Sequence, residues 1–547
     1  MKAFKLLLLP GALLATAHAQ VAPDAGSVLQ QLRPPAAPLT PRNGAALPAP
    51  PPLPAPAGAS PDGTVRIAGV RFTGNSRIPD AELQALVQDA LGRELDLAGL
   101  EALAARVSRE YRRRGYTVAR AYLPPQQVRD GILELAVVEG RFGAVTVRGD
   151  APRSLPLAAL EPGTVVTDAA LERALLLAAD VPGIAVRSTL QPGASVGTSE
   201  LVVDVAPGER FAGSVEADNF GSRSTGRGRL GATLLVNNPS GAGDLVTLRA
   251  IASDGGLAHG RLAYQLRVGR DGTRVGVAAS TMRYRLGEEF ASLDAHGTAR
   301  VATVFVAHPV LRTRHANANL QIAFEDKQLR DHIDSVATST ERKLRSLTLG
   351  WSGDRSDSFG GAGAWTFSLA YTRGELDLPT PAARAVDDAT AGTAGSFDKL
   401  ALGVSRQQAL GPSTTLFVAY TGQWAGGNLD SSEKLPLGGV AGVRAYPQGE
   451  APSDHAHLLT AELRHNVTSA WQWIAFVDAA TGRANAEPWP GASGARRSLS
   501  GAGVGLAWAG GRGLNARLYY AHKLGHAAAT AEPDRDGRLW LQAAWTF

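Results

Sequence analysis

The stretch at residues 435–450, LPLGGVAGVRAYPQGE, places three closely spaced glycines before a central Val-Arg-Ala-Tyr at residues 443–446. Glycine permits positive φ angles and close backbone approach, so the pattern predicts a long, shaped loop rather than a strand. Taken alone, the single arginine of this motif, Arg444, is most simply interpreted as a solvated surface residue. Two other stretches of the sequence favour a more specific role for it.

Both stretches lie C-terminal to the loop and have strand-like patterns. Residues 476–482, FVDAATG, form an apolar run that carries one acid, Asp478. Residues 539–547, LWLQAAWTF, alternate in character and end on the aromatic Phe547. A period of two is typical of a strand whose two faces meet different environments.

Together the three stretches resemble motifs of the outer-membrane transporters of two-partner secretion, the TpsB family, which includes haemolysin secretion/activation proteins of the ShlB/FhaC/HecB type. That family has a Val-Arg-Gly-Tyr motif on a loop folded into a β-barrel, a Phe-x-Asp-x-Gly motif on a barrel strand, and a C-terminal aromatic signal. In this chain Val443, Arg444 and Tyr446 match the loop motif, whereas Ala445 replaces its glycine.

The strand motif is matched in the same way. Phe476 and Asp478 agree with it, and Ala480 replaces its last glycine. The resemblance implies that Arg444 reaches down the lumen and pairs with Asp478, which would fix the loop inside the pore.

The resemblance also implies a fold and a function. The fold is a transmembrane antiparallel β-barrel of about 16 strands, preceded by two α+β POTRA domains. Trp545 and Phe547 would belong to the signal read by the barrel-assembly machinery. The function is a pore that recognises a large partner exoprotein, of adhesin or haemolysin type, and translocates it across the outer membrane by two-partner (type Vb) secretion.

Composition limits the chemistry of the chain. Its 547 residues exceed what one hydrophobic core holds, so several domains are expected. The absence of cysteine excludes disulfides, thiol catalysis and cysteine zinc sites. The net charge of +5 comes from widely spread charges, without the basic block typical of a nucleic-acid-binding arm. No metalloprotease, Walker A or dinucleotide motif occurs, so we expect no cofactor, no metal and no nucleic-acid partner.

The N-terminal 64 residues fall into three predicted segments. Residues 1–19 have two lysines, an apolar run and Ala-His-Ala, the pattern of a secretory signal cleaved between Ala19 and Gln20. Residues 20–33 carry one short helical pattern, at the place where the family has a plug helix in the barrel pore. Residues 34–64 are rich in proline and alanine, which is typical of an extended linker.

Residues 65–141 have the pattern of a compact α+β unit. The predicted elements are a strand from residue 65, helices at 78–91 and 96–115, and strands at 118–123 and 132–138. On the first helix Leu83, Val87 and Leu91 share an apolar stripe. The order strand-helix-helix-strand-strand is that of a POTRA domain, and residues 116–126, YTVARAYLPPQ, resemble the family's first POTRA domain.

Residues 142–207 repeat this organisation in a shorter form and predict a second POTRA domain. A first strand precedes a helix whose N-cap we assign to Asp168, and strands at 185–190 and 200–205 close the unit. The turn at residues 193–197, GASVG, matches the G-x-S-x-G of serine hydrolases. That motif requires a helix directly after the turn, so we predict that the chain is not an enzyme.

From residue 211 to residue 547, alternating segments separated by Gly, Asn, Asp and Ser turns replace the helical patterns. Repeated alternation is the signature of a membrane β-barrel. The mature chain has no run of about 18 apolar residues, so an integral protein with this sequence must cross the membrane by strands. His455 and His457, two residues apart, are interpreted as part of a polar lumen face rather than as a metal site.

Three alternatives to a secretion pore remain open from the sequence. An assembly factor of the same superfamily would insert other barrels, a diffusion porin would lack POTRA domains, and an outer-membrane enzyme has only the G-x-S-x-G match to support it. The expected location is the outer membrane, with the POTRA domains in the periplasm. The expected partners are the secreted protein, bound through the POTRA domains, the barrel-assembly machinery and outer-membrane lipid.

Overall fold

The computed structural model describes residues 22–32, 63–490, 492 and 496–547 of the chain. The expected cleavage between Ala19 and Gln20 lies outside these residues, as does most of the proline-rich segment. The first described element is a short helix, α1 (Ala25–Gln31), with Asp24 as its N-cap. None of the described helices has the length and apolarity that crossing a membrane requires.

Residues 65–138 form a first α/β unit. Its elements are β1 (Val65–Arg66), β2 (Gly69–Thr73), α2 (Asp80–Val87) with a 3₁₀ turn over Gln88–Ala90, β3 (Glu94–Leu95), α3 (Leu97–Arg113), β4 (Arg120–Tyr122) and β5 (Ile132–Val138). β5 is the middle strand of a three-stranded sheet, parallel to β2 and antiparallel to β4. The short strands β1 and β3 pair with each other.

The two helices of this unit bury their apolar stripes against the sheet. Leu83 of α2 and Val107 of α3 are completely buried in one core. Asp96 caps α3 by accepting a hydrogen bond of 2.8 Å from the backbone N–H of Gly99. Leu91 was predicted to share the buried stripe of α2, but it is 40% exposed because the helical turns end at Ala90.

A buried carboxylate joins the end of β5 to the loop before α2. Glu139 accepts hydrogen bonds of 2.6 Å from the backbone N–H groups of Ser76 and Arg77, and one of 3.2 Å from the Tyr111 hydroxyl. Burial alone would raise the pKa of Glu139, but these hydrogen bonds outweigh burial and lower that pKa below its ordinary value. The carboxylate is therefore held in its charged form.

Residues 141–207 form a second α/β unit. Its elements are β6 (Arg141–Arg148), α4 (Asp168–Ala179), β7 (Ile184–Pro192) and β8 (Thr198–Pro207). The assignment of Asp168 as the N-cap of α4 is wrong. Thr167 has the extended cap conformation and its hydroxyl accepts from the N–H of Ala170, so Asp168 is the first helical residue. Residues 193–197 form the turn between β7 and β8.

Residues 211–546 form a closed antiparallel barrel of sixteen strands, which confirms the barrel that the resemblance implied. The strands are β9 (Phe211–Asp218), β10 (Arg229–Asn237), β11 (Leu245–Ser253), β12 (Ala258–Arg267), β13 (Arg274–Arg285), β14 (Ala295–Arg312), β15 (Ala316–Ile333), β16 (Thr338–Asp357), β17 (Gly363–Asp377), β18 (Gly395–Ala409), β19 (Thr414–Ala425), β20 (His455–Asn466), β21 (Trp471–Arg483), β22 (Arg497–Ala509), β23 (Leu514–Lys523) and β24 (Gly537–Thr546). Each strand pairs with the next, and β24 pairs with β9 to close the barrel. A helix, α5 (Pro381–Asp388), lies between β17 and β18.

The two ends of the barrel differ. The second α/β unit is bound at the end with short turns, which we call the proximal end. There Asp180, just after α4, accepts hydrogen bonds of 2.8 and 3.0 Å from Arg312, and Arg173 donates to the carbonyl of Pro309 at 2.6 Å. The opposite, distal end carries the long connections, including residues 426–454 between β19 and β20.

Side chains alternate between the lumen and the outer face along each strand. On β20, Leu458 is buried on the lumen side, whereas Leu459 is 48% exposed on the outside. His455 and His457 are in phase with Leu459, so the interpretation that they line the lumen is wrong. His457 instead lies 2.8 Å from the hydroxyl of Tyr420 on the neighbouring strand.

The C-terminal residue lies at the seam that closes the barrel. Phe547 and Gly213 exchange two backbone hydrogen bonds, of 3.0 and 2.9 Å. The ring centroids of Phe547 and Trp545 are 4.9 Å apart, and both side chains are about half exposed on the outer face. The last residue of the chain is therefore part of barrel closure.

Deletion of Phe547 is expected to lower the amount of assembled barrel in the outer membrane, because the closing strand loses its terminal ring and the last two hydrogen bonds of the seam. Heat-modifiable migration on gels and the level of periplasmic degradation products measure the effect. Phe547→Trp is the matched control, since it keeps an aromatic terminus and should assemble nearly normally. Normal levels of heat-modifiable barrel after the deletion would contradict this role.

Candidate functional site in the barrel lumen

The connection between β19 and β20, residues 426–454, folds back from the distal end into the barrel, and we call it the lumen loop. Leu437, Val443 and Tyr446 of this loop are completely buried. They pack in one cluster with lumen-facing side chains of β20 to β23, namely Leu458, Ile474, Phe476, Leu499 and Ala521. The lumen loop is thus a packed part of the barrel interior rather than a solvated surface loop.

The guanidinium of Arg444 lies between two carboxylates on neighbouring strands. Its Nε and Nη2 donate to the two oxygens of Asp478 on β21, each at 2.8 Å, and its Nη1 donates to Glu462 on β20 at 2.7 Å. The backbone N–H of Arg444 adds a hydrogen bond of 3.1 Å to Asp478. A planar guanidinium forms two parallel bonds to one carboxylate, a geometry that lysine cannot reproduce. The structure therefore brings Arg444 and Asp478 together.

Aromatic side chains enclose the same guanidinium. Its central carbon lies 3.5 Å from the ring centroid of Phe476 and 5.2 Å from that of Tyr519. Attraction between a cation and a ring is strongest where water is excluded. On the main-chain side, Trp540 donates its Nε1–H to the carbonyl of Arg444 at 2.8 Å. Both the charge and the backbone of Arg444 are therefore bound to the barrel wall.

Burial determines how much these ion pairs contribute to the position of the loop. The side chains of Arg444, Asp478 and Glu462 are 5%, 0% and 7% exposed. A solvent-exposed ion pair contributes only about 0–1 kcal/mol. Removing one partner of an enclosed pair costs roughly 3–5 kcal/mol, because the other charge stays buried without compensation. The enclosed case applies here, so loss of any of the three groups should release the loop.

Sequence reasoning missed Glu462. Its second oxygen accepts a hydrogen bond of 2.6 Å from Arg464, which also faces the lumen from β20. The strand register could have identified it, since Thr460 stands directly opposite Asp478 and Glu462 is the next lumen-facing residue on that strand. That register depends on which strands pair, which no motif in this sequence encodes.

Three further acids of the lumen loop bind cations of the barrel wall. The pairs are Asp430–Arg342, Glu433–Lys399 and Glu450–Arg497, with N···O distances of 2.7, 2.7 and 2.5 Å. The three acids are 6%, 2% and 0% exposed in that order. They were also missed from the sequence, because they are scattered along the loop without a recognisable spacing.

The two alanines that replace motif glycines are both buried. The backbone at Ala445 does not adopt a positive φ, so an L side chain fits there without strain. The methyl of Ala445 occupies the space beside Gly501 on β22. A Cβ added to Gly501 would lie only 2.5 Å from the Cβ of Ala445. Ala480 belongs to the same apolar cluster and is 7% exposed. The glycine at position 501 thus complements the alanine at position 445.

Two family models match this chain. Residues 65–140 match the model described as POTRA domain, ShlB-type. Residues 197–508, more than half of the chain, match the model described as haemolysin secretion/activation protein ShlB/FhaC/HecB. The two matches cover the first α/β unit and most of the barrel, including the lumen loop.

Individual proteins show the same relationship. The heme/hemopexin transporter protein HuxB of Haemophilus influenzae (strain 86-028NP) is 30% identical over 398 residues, which cover 72% of this chain and 70% of that protein. The outer membrane transporter CdiB of Escherichia coli O6:K15:H31 is 26% identical over 418 residues, covering 74% and 69%. The solved structure of CdiB from Escherichia coli has the same fold, with a TM-score of 0.71 at 22% identity, covering 90% of this chain and 93% of that chain.

Gly501→Ala is expected to loosen the lumen loop by roughly 1–3 kcal/mol, because the new methyl overlaps that of Ala445. Adding Ala445→Gly removes the overlapping methyl and should restore part of the lost stability. The restoration is only partial because the carbonyl oxygen of His522 still lies 3.1 Å from the added Cβ. Limited proteolysis of the purified barrel, followed at the lumen loop, measures the change. Gly260→Ala on β12 is the control, since nothing lies within 4 Å of an added Cβ there. Equal protection in Gly501→Ala and the wild type would contradict this packing.

Proposed function

The chain belongs to the haemolysin secretion/activation protein family ShlB/FhaC/HecB. We propose a role in export for each of its parts. It is an outer-membrane β-barrel transporter of two-partner secretion, with its POTRA region in the periplasm. The proximal end of the barrel therefore faces the periplasm and the distal end faces the cell exterior. The observation that carries the proposal is a barrel lumen occupied by the anchored lumen loop, with an α/β unit bound at its periplasmic mouth.

Family membership separates this function from the alternatives left open by the sequence. An assembly factor of the same superfamily would insert other barrels, whereas residues 197–508 match secretion/activation proteins. A diffusion porin would have no POTRA domain, and residues 65–140 match one. The relatives are named as transporters, and the GASVG turn at residues 193–197 has a strand after it, not a helix.

The second α/β unit, residues 141–207, is proposed to be the second POTRA domain that the sequence predicted at 142–207. Both units have a sheet in which the last strand along the chain is central, parallel to the first and antiparallel to the second. The orders are β2-β5-β4 and β6-β8-β7. Both also place helices between the first two strands of that sheet, two in the first unit (α2 and α3) and one in the second (α4). The shared topology supports one ancestry for the two units and a joint role in the periplasm.

We propose that these units capture the partner, a large exoprotein of adhesin or haemolysin type, by strand addition. β4 and β7 are edge strands of their sheets. An edge strand offers unpaired backbone donors and acceptors, which an extended segment of another protein can use. Because the second unit is held on the barrel through Asp180 and Arg312, a segment bound there would begin at the periplasmic mouth of the lumen.

The helix α1 is proposed to plug the pore at rest. Ala25 and Val28 are completely buried in a cluster with lumen-facing residues of β13 to β16. Asp24 pairs with Arg342 of the wall at 2.8 Å and accepts a hydrogen bond of 2.7 Å from Ser431 of the lumen loop. Arg342 also binds Asp430 of the same loop, so one cation connects the helix, the loop and the wall. The helix must move before a polypeptide can pass.

Deletion of residues 65–140 is expected to abolish export of the partner while leaving the barrel inserted, because the capture domain is lost and every barrel strand is kept. Partner protein in the culture medium, compared with heat-modifiable barrel in the outer membrane, measures the two effects separately. Export at the wild-type level from the shortened chain would show that capture does not need this domain.

Arg444→Lys and Asp478→Ala are each expected to leave the barrel inserted but to reduce partner secretion sharply. The double variant should be little worse than either single variant, since all three lack the same contact. Arg464→Lys is the control, because it keeps a cation beside Glu462 and leaves both bonds between Arg444 and Asp478 in place. Secretion is measured for the four variants in parallel. Near-normal export in either single variant, or losses that simply add, would refute the pairing as the basis of transport.

Arg342→Gln is expected to raise the ion conductance of the purified protein in planar bilayers, because α1 and the lumen loop lose the cation that joins them. Arg345→Gln, on the same strand but facing outward with a 72% exposed side chain, is the control and should conduct like the wild type. A closed, wild-type conductance in Arg342→Gln would exclude this arginine as the link that holds the plug.

A further inference from the structure

The outer face of the barrel carries a group of cations near its distal end. Arg283, Arg300, Arg330 and Lys343 stand on four consecutive strands, β13 to β16, and we call them the outer cation cluster. Their sequence neighbours Met282, Ala299, Leu329 and Leu344 are buried on the lumen side, so the four side chains point outward. None of the four side chains faces the lumen through which transport is proposed.

Strand register places the cluster just beyond the apolar band of the barrel. Val277, Val304, Phe324 and Leu347 are partners across the same four strands and are 45–54% exposed on the outer face. Arg300 lies four residues further toward the distal end than Val304, which is about 13 Å along the strand. At a strand tilt of about 40°, about 13 Å along the strand is roughly 10 Å along the membrane normal, which places Arg300 at the distal boundary of the apolar band.

The cluster has an excess of positive charge. Arg330 lies 3.2 Å from Glu341, and Lys343 lies 3.8 Å from the same carboxylate. For Arg283 and Arg300, the described part of the chain contains neither an ion pair nor a side-chain hydrogen bond. Arg330 and Lys343 thus share one acid, Glu341. The guanidinium groups of Arg283 and Arg300 are available to bind an external anion.

An apolar groove adjoins the cluster on the same face. This shallow concavity of about 900 Å³ is lined by Leu234, Leu248 and Leu262, and Arg300 lies at its edge. The acid in its lining, Asp326, is bound to Arg345 at 3.2 Å and does not oppose an anion. The groove therefore suits a molecule that combines an acyl chain with an anionic head.

We propose that the outer cation cluster and this groove bind a bisphosphorylated, multiply acylated glycolipid of the outer leaflet, the lipid A class. Arg283 and Arg300 are diagonal neighbours on paired strands, about 7–8 Å apart at Cα, so each can take a separate phosphate. Guanidinium binds phosphate through two charge-assisted bonds. The occupant is a lipid rather than free phosphate because Arg300 lies at the edge of an apolar groove.

The purified full-length protein is to be incubated in detergent with bisphosphorylated lipid A, and the retained lipid is to be quantified by mass spectrometry after gel filtration. The wild type should retain the lipid, and the double variant Arg283→Gln, Arg300→Gln should bind it about ten-fold more weakly, since two charge-assisted contacts are lost. Arg373→Gln on β17 is the control, because Arg373 stands opposite Asp398 and should not contribute.

Measurements on the wild type alone keep the test independent of folding of the variants. Monophosphorylated lipid A should bind several-fold more weakly than the bisphosphorylated form, and neither phosphatidylglycerol nor inorganic phosphate should displace the latter. Equal retention by the wild type and the double variant would overturn the proposal. Displacement by phosphatidylglycerol or by inorganic phosphate as efficient as that by lipid A itself would overturn it as well.

Discussion

One buried guanidinium constrains the interior of this barrel. Arg444 is almost completely removed from water, and a charge in that position persists only when it is paired and hydrogen-bonded. Asp478 and Glu462 provide the pairing from two adjacent strands, so the lumen loop can occupy its place only in the observed register of β20 and β21. The position of the loop and the pairing of the wall strands therefore depend on each other.

Other buried charges in the lumen are also paired. Besides its apolar cluster, the lumen loop contacts the wall through acids bound to lysine and arginine, and Arg342 connects α1 to both the loop and the wall. Each of these enclosed pairs is costly to break unless water or another partner compensates both charges, whereas the outer wall must keep every backbone hydrogen bond satisfied in lipid. Water that enters the lumen can hydrate the separated charges. The lumen loop and α1 can then move while the strands of the wall stay paired. That difference between lumen and wall is the physical basis of the proposed plug, which must leave the lumen before a polypeptide passes.

The sequence predicted those features that depend on periodicity or on a spaced motif: the alternating barrel strands, the helical stripes of the first α/β unit, and the meeting of Arg444 with Asp478. Features that depend on the register between neighbouring strands could not be predicted from the sequence. Glu462 joins the arginine through register alone, and His455 and His457 face outward because a shift of one residue reverses the face. The fit of Ala445 against Gly501 likewise requires two segments that only the closed barrel brings together.

The central claim, that Arg444 fixes the lumen loop inside the barrel, is tested most directly by a distance measurement. The chain has no cysteine, so Ala441→Cys on the loop and Ser498→Cys on β22 can be spin-labelled without background. Double electron–electron resonance in lipid vesicles should give one narrow distance distribution for the protein with Arg444 and a broad one when Arg444→Ala is added. An equally narrow distribution at the same distance in both proteins would contradict the account.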